Sequence, residues 1–66
     1  MLYAMKHGGT VYVTNDLITL AEQRDCMLIA GVRPDLLLIE SIYEPEKVLT
    51  YFKEDGYQIH NLDEEE

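Results

Sequence analysis

Tryptophan is absent, cysteine, serine and phenylalanine each occur once (Cys26, Ser41, Phe52), and proline stands only at positions 34 and 45. A single thiol excludes an internal disulfide. A structural zinc site takes about four Cys or His ligands, and Cys26, His7 and His60 are all the chain has to offer. No metal or cofactor is therefore expected. Basic side chains are also scarce, five Lys and Arg against 13 Asp and Glu, for a formal net charge of −8. DNA, RNA and anionic lipid call for a basic footprint, so direct binding to any of them is disfavoured. No apolar stretch approaches the roughly 18 residues that cross a bilayer. The first residues, Met1–Lys6, lack the basic start and long apolar run of a secretory leader. With a lone thiol suited to a reducing compartment, the expected location is cytoplasmic.

What is present is enough for one small globular domain. The apolar share is 47%, which is globular rather than disordered. A chain of 66 residues buries only about 60% of the surface it exposes when unfolded. Small domains supplement such cores with disulfides, metals or self-association. The first two being excluded, a homodimer is the expected symmetric solution.

The negative charge is unevenly distributed. Residues 1–33 balance Asp16, Glu22 and Asp25 against Lys6, Arg24 and Arg33. Residues 34–66 set ten acids against Lys47 and Lys53, and so carry the whole net charge. Such a field attracts a basic partner and speeds its encounter.

Along the chain, Leu2–Lys6 and Thr10–Thr14 are runs rich in Tyr, Val and Thr on either side of His7-Gly8-Gly9, the pattern of a β-hairpin. Val11 and Val13 share one face of the second strand, and Tyr12 takes the other. Asn15 is the expected cap of a helix with Asp16 in its first turn. Leu17, Leu20, Ala21 and Leu28 form its apolar stripe, and Gly31 stops it. Cys26–Ala30 is apolar all round, so periodicity leaves it open between a helix end and a separate strand; helix is favoured. After Arg33-Pro34-Asp35 breaks the chain, the run Leu36–Ile39 reads as a central strand covered on both faces, a short helix from Asp35 being the competing reading. Glu44-Pro45 opens a second helix with Val48, Leu49 and Phe52 buried and Tyr51 at the stripe's edge. Gly56 ends it, with Tyr57 packing back on its last turn. Tyr57–Leu62 is the last strand, with Tyr57 and Ile59 on one face. The expected fold is α/β (α+β): a small mixed sheet with two helices in the order ββαβαβ, residues 1–62 forming one compact domain and 63–66 an acidic tail.

No catalytic constellation stands out. His7-Gly8-Gly9 leads into a strand, whereas a phosphate-binding loop leads into a helix and carries a Lys. Cys26 lies in an apolar segment where a buried, inert thiol is expected. Ser41 has no nucleophile-elbow context, and His60/Asp63 is a weak metal spacing. The paired carboxylates Glu44/Glu46 and Glu54/Asp55 fall on helix ends, where an enclosed pocket is hard to build. Glu54 and Asp55 stand at a helix C-terminus, which disfavours them by about 0.3–1 kcal/mol each at low salt. Folding alone would place Lys or Arg there, so the two acids are candidates for contact with a partner.

The chain is thus expected to bind rather than catalyse. The leading expectation is a small acidic inhibitor or modulator. It would occupy the nucleic-acid-binding surface of a basic protein, such as a histone-like nucleoid protein, nuclease or polymerase, with carboxylates in place of phosphates. The analogy is with small acidic DNA mimics, some of them viral proteins directed at host factors, and it rests on composition. The expected partner-binding residues are Glu40, Tyr43, Glu44, Glu46, Glu54, Asp55, Asp63 and Glu64; Tyr43, amid Glu40, Glu44 and Glu46, is the first aromatic candidate. The alternative is a regulatory or adaptor module docking on an enzyme or assembly through its hairpin edge or an apolar surface. A third expectation is a small enzyme or ligand-binding subunit with a site shared across a dimer interface.

Overall fold

The computed structural model describes residues 1–63. The chain forms a four-stranded mixed sheet with two helices, an α+β domain. Its elements are β1 (Leu2–His7), β2 (Thr10–Thr14), α1 (Leu17–Ile29), a 3-10 turn (Pro34–Leu36), β3 (Ile39–Ile42), α2 (Pro45–Glu54) and β4 (Gln58–Asn61). Gly8, at φ 59°, turns β1 into β2 from the first loop position, where a two-residue hairpin favours glycine.

Strand order is β3-β1-β2-β4, with β1 antiparallel to both neighbours and β2 parallel to β4. The connections β2–α1–β3 and β3–α2–β4 therefore both join strands of like direction, and they cross the sheet in opposite senses. Right-handed crossovers of that kind must place their helices on opposite faces, and the two core clusters lie accordingly. On one face Leu2, Ala4, Val11, Val13 and Ile42 pack against Val48, Leu49 and Phe52 of α2, joined by Tyr57 and Ile59. On the other, Met5 and Leu37 meet Leu20 of α1, flanked by Tyr3, Tyr12, Met27 and Leu28. The alternation of Val11 and Val13 against Tyr12 matches the expected pleat.

Several local expectations change. Asp16 rather than Asn15 caps α1, because the helix begins at Leu17: Asp16 Oδ1 accepts from Ile18 N at 2.9 Å, while the Asn15 N–H donates to Asp63. Leu17, expected in the buried stripe, is exposed, and Leu20 is the one fully buried residue of α1. Cys26–Ala30 continues the helix, with Gly31 N and Val32 N donating back to Leu28 O and Met27 O, the paired closure of a Schellman motif. Gly31 supplies the positive φ, 99°. The same closure ends α2, where Gly56 N and Tyr57 N donate to Lys53 O and Phe52 O. Tyr57 then meets Phe52 edge-on at 5.7 Å between ring centroids.

The largest correction concerns Leu36–Ile39, which is not a central strand. Leu36 N and Leu37 N donate to Arg33 O and Pro34 O, closing the 3-10 turn, and Arg24 Nε donates to Leu37 O at 2.8 Å. Only Leu37 is fully buried; Leu36 and Leu38 are exposed. The strand begins later, at Ile39, and lies at the sheet's edge. The hairpin, expected to offer an edge, is central instead, because β3 and β4 flank it. Cys26, expected to be buried, is exposed, since it falls on the side of α1 away from the sheet. Asp63, assigned to the tail, is tied to Thr14 and Asn15. None of the described helices is long and apolar enough to cross a membrane.

Candidate functional site

The sheet gives the molecule two unlike ends. Strands β2, β3 and β4 run in one direction, so Thr14, Ile42 and Asn61 finish at the same end. Each is followed within a few residues by acids: Asp16 after β2, Glu44 and Glu46 after β3, Asp63 after β4. Lys47 is the one basic side chain on these segments (residues 15–17, 43–47 and 62–63). Its Nζ lies 3.9 Å from Glu44 Oε2, with both groups largely exposed, an arrangement that neutralises little in water. Both helices also begin at this end, and their positive N-termini accommodate carboxylates without cost to folding.

The opposite end is balanced. Lys6 stands one residue before the end of β1, Arg24 reaches Leu37 O ahead of β3, Arg33 starts the 3-10 turn and Lys53 lies in the last turn of α2. Asp25, Asp35, Glu54 and Asp55 share that end. Arg33 and Asp35 are bidentate at 3.0 and 3.1 Å, and Lys6 Nζ sits 5.8 Å from the Phe52 ring centroid. The polarity of the folded molecule is therefore end to end, and it does not follow the division of the sequence at residue 33.

Against that frame the candidate residues separate. Glu44, Glu46 and Asp63 come to the acidic end. Glu44 sits at the N-cap position of α2 without a side-chain cap bond, and Glu46 lies in its first turn. A shallow, open depression there is lined by Glu44, Pro45, Glu46, Lys47 and Thr50. Tyr43 lies beside it, immediately after β3, with 78% of its surface exposed. Glu40 is exposed midway along β3, on the face that carries α2. Glu54 and Asp55 stand about one helix length away, where Asp55 borders a second shallow depression with Gly8, Gly9, Gly56 and Tyr57. Glu64 lies outside the described residues.

Asp63 is the most constrained of these carboxylates. Its Oδ1 accepts from Thr14 Oγ1 at 2.5 Å and its Oδ2 from Asn15 N at 2.6 Å. These two bonds, Thr14 first, hold its pKa below the usual aspartate range, against a smaller opposing effect of burial. Asp63 is thus an anchored negative charge. Sequence reasoning also passed over Asp16, whose place at the acidic end depends on the strand order.

The residues considered for chemistry do not converge. His60 lies against Tyr12, with 5.4 Å between ring centroids, and Cys26 faces solvent on α1. Among the described residues no group of three or more His, Cys, Asp or Glu is placed to hold a metal ion. No family model, curated protein or solved structure matches the chain.

Proposed function

We propose that the chain is a small acidic protein-binding module, an inhibitor or modulator, that meets a basic partner with the end of the sheet where β2, β3 and β4 terminate. The observation that carries this reading is the gathering of Asp16, Glu44, Glu46 and Asp63 there with Lys47 alone among them. The partner class is a nucleic-acid-binding protein, such as a histone-like protein, whose phosphate-binding surface the carboxylates would occupy. The carboxyl ends of parallel strands are also where open α/β sheets receive their ligands, which gives the surface a precedent in architecture. Binding rather than catalysis is the proposed mode of action, and the single exposed thiol suits a reducing cytoplasm.

Titration of a purified histone-like DNA-binding protein, with duplex DNA as competitor, tests the reading. The complex is expected to weaken steeply with salt and to be displaced by DNA. Glu44→Gln/Glu46→Gln should slow association, while Glu54→Gln/Asp55→Asn at the balanced end should leave it nearly unchanged. An affinity indifferent to salt, or equal sensitivity to both pairs, rejects the acidic end as the contact surface.

A second reading, an adaptor docking through a sheet edge, is favoured by one observation. Edge strand β3 has exposed Leu38 before it and exposed Tyr43 after it.

A further inference from the structure

We draw no further inference here: the strongest candidate, the exposed apolar side chains of Leu17, Ile18 and Tyr43 at the end of the sheet where β2 and β3 finish, adjoins the acidic site already described, and nothing in the structure shows what covers it.

Discussion

The Thr14 hydroxyl donates to the Asp63 carboxylate across 49 residues of sequence, fastening the end of the described chain to the junction between β2 and α1. Thr14 is fully buried, and the same oxygen accepts from Asp16 N at 3.0 Å, so one hydroxyl serves both the cap of α1 and the exit from β4. Asp63→Ala leaves that buried hydroxyl and the Asn15 N–H without their acceptor, and an unmet buried donor is the costly kind of loss. The expected outcome is a lower Tm than wild type in a thermal melt. The pH dependence has a definite sign. The folded-state pKa of Asp63 is depressed, so its contribution is complete above the unfolded-state value, about 4, and is lost as pH falls through the folded-state value. Wild-type stability should decline on acidification through that window more steeply than that of Asp63→Ala, as measured by urea unfolding at a series of pH values.

That contact was also beyond the reach of the sequence, and the reason applies generally to this chain. Features set by near neighbours were legible: the hairpin around Gly8 and Gly9, the start of α2 at Glu44-Pro45, its stripe of Val48, Leu49 and Phe52, and the stop at Gly56. Leu36–Ile39 misled because a continuous apolar run has no period, and one buried residue in four, Leu37, is enough for a plug that covers the sheet. Strand order is a non-local property. Without it the hairpin looked like an edge, Asp63 looked like tail, and Glu54/Asp55 looked equivalent to Glu44/Glu46. The charge asymmetry was visible as a fact of composition; its direction in space required knowing that β2, β3 and β4 end together.

Leu20 carries a disproportionate share of the attachment of α1. It is the only fully buried residue of that helix and joins Met5 and Leu37, also fully buried, beneath the sheet. Leu20→Ala should cost about 2–5 kcal/mol, comparable to the entire stability of a domain this small, about 0.05–0.15 kcal/mol per residue. Ile29, 87% exposed on the same helix, provides the contrast: Ile29→Ala should stay within about 0.5 kcal/mol of wild type. Chemical denaturation of the two variants separates them, and equal effects would mean that α1 is held by some other contact.

Gly56 tests the closure of α2. Its φ of 93° is one that side chains rarely adopt, yet a Cβ built there meets no atom within 4 Å. The penalty for Gly56→Ala is therefore conformational, about 1–2 kcal/mol, with no steric clash added. Gly9 has equally open surroundings and no such backbone requirement, so Gly9→Ala should be close to neutral. A thermal melt of each variant reads the difference directly.

Glu54 and Asp55 allow stability and binding to be separated. Both stand at the C-terminus of α2, where the helix dipole opposes negative charge by about 0.3–1 kcal/mol per group at low salt. Lys53 in the last turn and Lys6 nearby, over Phe52, offset part of that cost. Glu54→Gln and Asp55→Asn should each raise stability by a few tenths of a kcal/mol, with a gain that shrinks as salt screens the dipole. Glu44→Gln and Glu46→Gln remove charges that the N-terminus of the same helix favours, and should lower stability slightly. The two pairs therefore have opposite signs in low-salt denaturation, while only the second pair should slow association with a basic partner. If the second pair is destabilising yet leaves association unchanged, the carboxylates after β3 serve only the helix. Gathering acids at the strand ends would then be a consequence of where both helices begin.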